Sequence, residues 1–180
     1  MSIWKDVPGV LNADPRVFEN TIKLDRLSYR EAIEMTYYGA SVIHPKTIKP
    51  LQNKSIPLFV KSFLDPVAPG TEISSDTEDT YPPIVVLEKN QALLHISTND
   101  YSFVAEHHLA DLFSKLSDLR IFVNMMQNTA ISFTICVPNV PDRLEKFRKL
   151  VADDFKVKME EGLELLTVRH YTADTIENLK

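Results

Sequence analysis

The sequence predicts a mixed α/β segment followed by an α+β unit within one chain. Three observations support this prediction. Nine of the 11 prolines lie between Pro8 and Pro83, and none lies between 84 and 137. The stretch 65–83 is rich in Pro, Gly, Ser, Thr and acidic residues and lacks hydrophobic periodicity, as linkers do. After it, strand and helix patterns follow in the order β-α-β-β-α-β.

The first unit, predicted at residues 1–72, carries α/β elements. Ser28 and Glu31 have the spacing of a capping box, in which the serine accepts from the third backbone amide and the glutamate reaches back. A glycine typically ends such a helix, and Gly39 stands at that place. The other predicted elements are a strand ending at 3–4, a helix from 45 to about 54 that Pro50 distorts or shortens, and a strand at 58–60. We expect these elements to be too few to close a core alone, and residues 73–83 to be the linker.

The second unit, predicted at residues 84–162, is more complete. Two helices each carry an apolar stripe, at 109–119 and 144–151, and one strand alternates strictly over 131–137. The remaining strands are predicted at 84–98, 121–126, 156–159 and 163–168. Their order is that of the ferredoxin-like fold, with two helices on one face of an antiparallel sheet. Residues 163–180 then begin a further module.

Composition narrows the possible classes of function. The 180 residues carry a net charge of −5, which argues against a nucleic-acid-binding protein. No apolar run approaches the ~18 residues of a membrane span. The single cysteine, Cys136, permits no internal disulfide and fits a cytoplasmic protein. The four glycines are dispersed, so the sequence contains neither a Walker loop nor a GxGxxG dinucleotide motif.

An ordered series of short motifs resembles the aspartate kinases, which belong to the amino-acid-kinase family. The motifs are Trp4-Lys-Asp-Val-Pro-Gly9, Asp14-Pro-Arg16, Leu27-Ser-Tyr-Arg-Glu-Ala32, Gly39-Ala-Ser-Val-Ile-His-Pro45, Ile48-Lys-Pro50, Ile56-Pro57 and Pro69-Gly-Thr71. The resemblance implies that 1–72 is the C-terminal part of a catalytic domain and that 84–162 is a regulatory ACT domain. It also implies that 163–180 opens a second ACT module, because Gly162-Leu-Glu-Leu-Leu-Thr-Val168 is similar to its first strand.

The resemblance implies a reaction and its partners. The parent enzyme would transfer phosphate from ATP, with Mg²⁺, to the side-chain carboxylate of L-aspartate, and would form a homodimer through the ACT domain. The family's lysine and glycine-rich phosphate segment lies outside this sequence, so the fragment alone is predicted to be inactive and its catalytic residues to lie upstream. The alternative from another class is a non-catalytic regulatory module that binds an amino acid and dimerises.

The resemblance also implies a nucleotide site. The family positions that border ATP correspond here to Lys5, Asp6, Leu11, Arg16 and Ser41. From spacing alone, Asp6 and Arg16 would more readily be residues of a solvated turn. Serine stands at 41 where many relatives carry lysine, and leucine at 11 where tyrosine is frequent, so we expect a variant pocket. Arg16 suits a phosphate because its guanidinium is a fixed fork of donors.

A second candidate site follows from the ACT resemblance. An amino-acid effector would contact Ser97, Asn99, Asn124 and Thr129. Asn124 and Ala130 stand where lysine-sensitive relatives often carry aspartate and glutamate, which makes lysine a doubtful effector. An equally good interpretation is that these are polar residues at the ends of strands and in turns, with no ligand.

The histidines do not indicate a metal site. His44 is interpreted as a structural residue at a helix junction. His107 and His108 are adjacent, so on a helix their side chains point about 100° apart and do not chelate together.

Overall fold

The computed structural model describes residues 1–39, 43–75, 80–100 and 102–178, and it divides into two compact units. Unit 1 contains residues 1–87 and 166–180, and unit 2 contains residues 88–165. The predicted combination of α/β and α+β architecture is confirmed. No helix among the described residues is long and apolar enough to cross a membrane.

Unit 1 is built on a four-stranded mixed sheet. Its elements in the first 74 residues are β1 (Ser2–Lys5), β2 (Val10–Leu11), β3 (Lys23–Leu24), β4 (Arg26–Ser28), α1 (Tyr29–Tyr37), α2 (Pro45–Asn53), β5 (Leu58–Ser62) and β6 (Thr71–Ser74). The strand order is β1-β5-β6-β4, with β1 parallel to β5, β5 antiparallel to β6, and β6 parallel to β4. A separate antiparallel pair joins β2 to β3.

Unit 1 has its own hydrophobic core, which draws on residues beyond 72 as well as on residues 1–72. Leu27, Ile48, Leu58 and Ile73 are fully buried in it. Ile84 and Val86 belong to the same cluster, so the expectation that residues 1–72 cannot close a core alone stays a prediction.

The predicted linker, residues 73–83, makes ordered contacts at both of its ends. Its first residues, 73 and 74, are the end of β6, and Ile73 is fully buried. Further along, the Tyr81 hydroxyl accepts a hydrogen bond from the Ser28 amide at 2.9 Å. The Pro83 carbonyl accepts one from the Asn12 side chain at 2.9 Å. Contacts within unit 1 therefore hold both the start and the end of this segment.

Unit 2 has the predicted βαββαβ order. Its elements, with the final helix of the chain, are β7 (Ile84–Thr98), α3 (Glu106–Asp118), β8 (Met125–Asn128), β9 (Ser132–Pro138), α4 (Pro141–Leu150), β10 (Phe155–Arg169) and α5 (Ala173–Asn178). The sheet order is β10-β7-β9-β8, with β9 antiparallel to both β7 and β8. Its core includes Leu94, Leu112, Phe133, Ile135 and Phe147, all 2% exposed or less.

Two strand predictions in the second unit were wrong in their bounds. The strand placed at 121–126 begins only at Met125, because Ile121 to Asn124 lead from α3 into the sheet. The strands placed at 156–159 and 163–168 form one strand, β10, because Gly162 continues it with a φ of 71°. The predicted domain boundary at 163 therefore falls inside a strand, and residues 166–180 group with unit 1.

Candidate functional site

Unit 1 contains a cavity of about 430 Å³, a size typical of small-molecule sites. Three parts of the chain line it: the end of β1 with the loop that follows, Met35 and Gly39 near the end of α1, and the start of β7. The lining residues are Lys5, Asp6, Val7, Gly9, Leu11, Ala13, Asp14, Pro15, Arg16, Met35, Gly39, Val85, Val86 and Leu87.

Four of the five residues predicted to border a nucleotide line this one cavity: Lys5, Asp6, Leu11 and Arg16. The fifth, Ser41, lies outside the described residues. Lys5 and Leu11 are half-buried, whereas Asp6 and Arg16 are exposed. The structure thus gathers residues that are up to 11 positions apart along a loop with little regular structure.

Arg16 is held in a tight turn by Asp14. The Asp14 carboxylate accepts from the Arg16 Nε at 3.0 Å, from its Nη2 at 2.8 Å and from its backbone amide at 2.9 Å. This hydrogen bonding raises the pKa of Arg16 above its ordinary value. Because Asp14 occupies one edge of the guanidinium, an incoming anion would use the other edge or displace the carboxylate.

The loop that lines the cavity is fixed to the sheet through Thr71, which is fully buried. Its hydroxyl accepts from the Val10 amide at 2.8 Å and donates to the Leu24 carbonyl at 2.5 Å. A Cβ on Gly9 would lie 2.4 Å from that hydroxyl oxygen, so the loop passes the sheet at a distance that only glycine allows. Thr71 therefore sets the height of the loop above the sheet.

Sequence reasoning missed the opposite wall of the cavity. Val85 to Leu87, at the start of β7, and Met35 on α1 line it. Val85 also donates its backbone amide to the Asn12 carbonyl at 2.8 Å, which ties this strand to the loop. No local signal predicts this contact, since the two partners lie 73 positions apart.

The cavity combines both charge signs with apolar surface. Lys5 and Arg16 supply cations, Asp6 and Asp14 supply carboxylates, and Leu11 and the wall from β7 supply apolar contact. Such a set suits a ligand with one anionic end and one apolar face. Among the described residues, no group of three or more His, Cys, Asp or Glu is placed to hold a metal ion.

The four residues predicted to bind an effector do not converge within one chain. Ser97 pairs in register with Ser132, whose hydroxyl lies 2.7 Å from that of Thr129, so these lie at one end of the sheet. Asn124 donates its backbone amide to the Cys136 carbonyl. Cys136 lies about 13 Å beyond Ser132 along β9.

Two of these side chains have structural partners. Asn99 donates to the carbonyls of Ala152 and Asp153 at 3.2 and 2.9 Å, which ties the end of β7 to the turn after α4. Asn124 donates to Glu88 and, at 3.0 Å, to Gln91. Burial outweighs the hydrogen bond from Asn124 and raises the pKa of Glu88.

Two of the histidines, His44 and His108, cap helices. The His44 ring accepts from the Lys46 amide at 3.2 Å at the start of α2, consistent with the structural interpretation of this residue. The His108 ring accepts from the Ala105 amide at 3.2 Å at the start of α3.

Comparison with known proteins gives a consistent result over nearly the whole chain. The model of the amino acid kinase family matches residues 1–62. The lysine-sensitive aspartokinase 3 of Escherichia coli is 32% identical over 178 residues, covering 93% of this chain and 39% of the relative. The chain therefore spans about two fifths of that relative's length.

Two solved structures have the same fold over most of the chain. E. coli aspartokinase III in complex with aspartate and ADP (R-state) superposes with a TM-score of 0.79 at 32% identity, covering 93% of this chain and 39% of that one. The complex of the same enzyme with lysine and aspartate (T-state) gives 0.78 at 29% identity, covering 99% and 43%.

Proposed function

Because this chain belongs to the aspartokinase family, as a segment of a longer member, we propose that the complete protein is an ATP-dependent aspartate kinase. An oxygen of the L-aspartate side-chain carboxylate attacks the γ-phosphorus of ATP. The bond from that phosphorus to the β–γ bridging oxygen breaks, and the products are ADP and 4-phospho-L-aspartate. Residues 1–87 would supply part of the catalytic domain, and residues 88–165 an ACT domain.

One observation carries this proposal. Lys5, Asp6, Leu11 and Arg16 surround a single cavity, and they lie in the segment that matches the kinase family model. A neighbour of the same fold, 32% identical, holds ADP and aspartate. Phosphoryl transfer depends mainly on positioning and on positive charge around the migrating group, and Lys5 and Arg16 are the cations of this cavity.

The roles of the cavity residues follow from their chemistry. Lys5 and Arg16 are assigned to the phosphates, Asp6 to the sugar hydroxyls, and Leu11 with the β7 wall to the apolar face of the base. Mg²⁺ would enter with the nucleotide, because it usually keeps waters and binds through one or two carboxylates plus phosphates. Asp14 lines the cavity with a carboxylate of that type, so the residues present fit the ion.

A thermal-shift titration tests the nucleotide site and separates it from the regulatory alternative. We expect Mg²⁺-ADP to raise the melting temperature of the chain, with saturation at about millimolar concentration. Arg16→Gln should weaken this binding about tenfold through loss of a charge-assisted contact. Arg148→Gln, at an exposed ion pair on α4, is the matched control.

The outcomes are distinguishable. Stabilisation by lysine, threonine or methionine without any response to Mg²⁺-ADP would favour a purely regulatory module. No response of Arg16→Gln, with wild-type binding intact, would remove Arg16 from the site. A coupled ADP-release assay should detect no aspartate-dependent turnover by these 180 residues, and turnover would contradict the expectation that the fragment is inactive.

A regulatory role for unit 2 is the second part of the proposal, supported by its complete βαββαβ sheet and by a relative that is lysine-sensitive. Because Ser97, Asn99, Asn124 and Thr129 do not converge in one chain, an effector pocket would need a second copy. A cytoplasmic location is proposed from the single unpaired cysteine, Cys136.

Dimerisation is expected through β8, the exposed edge strand of unit 2. Met126 on this strand is 62% exposed, and an open edge favours pairing with another chain. Met126→Lys should make the protein monomeric, because a two-fold contact would bring like charges together. Light scattering at roughly tens of micromolar should detect a wild-type dimer. Leu150→Lys, at an exposed leucine ending α4, is the control. A wild-type monomer would contradict this prediction.

A further inference from the structure

Glu31 does not play the part that its sequence position predicts. Ser28 caps α1 by accepting from the Glu31 amide at 3.0 Å, as expected of a capping box. The reciprocal bond is absent, because the Ser28 amide donates to the Tyr81 hydroxyl instead. The Glu31 carboxylate is nonetheless only 5% exposed, so its charge has another partner.

That partner is the end of β10. Arg169 binds the Glu31 carboxylate through both oxygens, with Nε–Oε1 at 2.7 Å and Nη2–Oε2 at 2.9 Å. The His170 Nε2 lies 3.1 Å from Glu31 Oε2. Burial acts to raise the pKa of Glu31, but the hydrogen bonds from Arg169 and His170 prevail and hold it below its ordinary value.

Arg169 binds helix α1 at two points. Its Nη1 also donates to Glu34 Oε2 at 3.3 Å, one turn further along α1. A guanidinium that binds two carboxylates on one helix face restrains both the rotation and the axial position of that helix.

The segment that carries Arg169 is itself held in place. His170 follows with a φ of 52°, a left-handed conformation that a non-glycine residue adopts at a cost. Its ring packs against that of Tyr81 with centroids 5.1 Å apart and the ring planes tilted by 56°. The surrounding contacts therefore compensate the cost of a backbone conformation that brings Arg169 and His170 to the same carboxylate.

Helix α1, to which Arg169 is bound, forms a wall of the cavity. Met35 lies one turn beyond Glu31 on α1 and lines the cavity, as does Gly39 just after the helix. A rotation of α1 would therefore move the wall of the cavity as well as the ion pair.

We propose that Arg169, supported by His170, is a positioning residue for the nucleotide cavity: by binding Glu31 and Glu34 it fixes helix α1 and thereby the wall at Met35 and Gly39. The latch formed by these four side chains (Glu31, Glu34, Arg169 and His170) makes the C-terminal end of β10 part of the cavity's support. Its effect on nucleotide affinity rests on the proposed function, but its effect on Met35 does not.

The test compares Arg169→Lys with Arg148→Lys in the whole chain. Both remove a bidentate fork and keep the charge, but Arg148 pairs with Glu145 on the exposed face of α4. The readouts are the ¹³C-methyl NMR resonance of Met35 and the dissociation constant for Mg²⁺-ADP, both at a temperature where the variants are folded. We expect Arg169→Lys to shift the Met35 resonance and to weaken ADP binding about fivefold, and Arg148→Lys to change neither.

Each outcome decides a separate question. A lowered urea midpoint for Arg169→Lys, with Met35 and ADP affinity unchanged, would overturn the proposal and leave a stabilising ion pair. If wild type does not bind ADP, the proposed function fails, and the Met35 resonance still decides on the latch. If Arg169→Lys does not fold, Glu34→Ala removes only the outer contact, and an unmoved Met35 resonance in that variant would overturn the proposal.

Discussion

Replacing Gly70 with alanine is expected to destabilise unit 1 by about 3 kcal/mol or more. A Cβ at this position would lie 2.1 Å from the Val60 carbonyl oxygen and 3.0 Å from its carbon. Both atoms are backbone of β5, a central strand, so no flexible side chain can yield. The displacement would also move Thr71, which fixes the loop over the cavity, so we expect weaker ADP binding as well.

Gly162→Ala is the matched control for this variant. Gly162 has almost the same φ as Gly70, 71° against 75°, but a Cβ there would meet nothing within 4 Å. It should therefore cost about 1 kcal/mol for the left-handed conformation alone. Trp4 fluorescence follows the urea unfolding of Gly70→Ala, because Trp4 is the single tryptophan and pairs in register with Lys61, next to the clash. Circular dichroism follows the urea unfolding of Gly162→Ala, because Gly162 lies in unit 2. Equal losses for both variants would mean that the close approach to Val60 carries no energy.

Local patterns predicted the elements well and their long-range partners poorly. The apolar stripes of α3 and α4 and the alternation in β9 are periodic signals, and each gave an element close to its observed bounds. The capping box at Ser28 was half right. Ser28 caps the helix as predicted, but the Glu31 carboxylate binds Arg169, 138 positions away. No local pattern contains that information.

A glycine caused one of the two errors in the strand bounds. Gly162 suggested a break, yet a strand can continue through a glycine that takes a positive φ, and β10 does so. The helix predicted from 45 to about 54 is observed as α2, which ends at Asn53, so Pro50 does not shorten it. In the candidate site, too, local sequence could be interpreted and long-range partners could not. The residues from Lys5 to Arg16 were predicted through resemblance, whereas the wall at Val85 exists only because β7 returns to the loop.

Phe147→Ala is expected to destabilise unit 2 by about 3–5 kcal/mol, the usual cost of a large cavity in a core. Phe147 lies on α4 and is fully buried in the cluster that α3, α4 and the sheet share. Phe122→Ala is the control, because Phe122 belongs to the same unit but is 72% exposed, and its removal should change stability by less than about 0.5 kcal/mol.

Phe147→Ala also tests whether the two units unfold separately. Each has its own sheet and its own core, so the cavity in unit 2 should not weaken the packing around Trp4 in unit 1. We therefore expect urea unfolding of Phe147→Ala to show an early transition by circular dichroism, while the Trp4 fluorescence midpoint stays at the wild-type value. If both probes moved together by the full amount, the chain would unfold as one cooperative body, and the assignment of residues 1–87 and 88–165 to separate catalytic and regulatory domains would lose its physical basis.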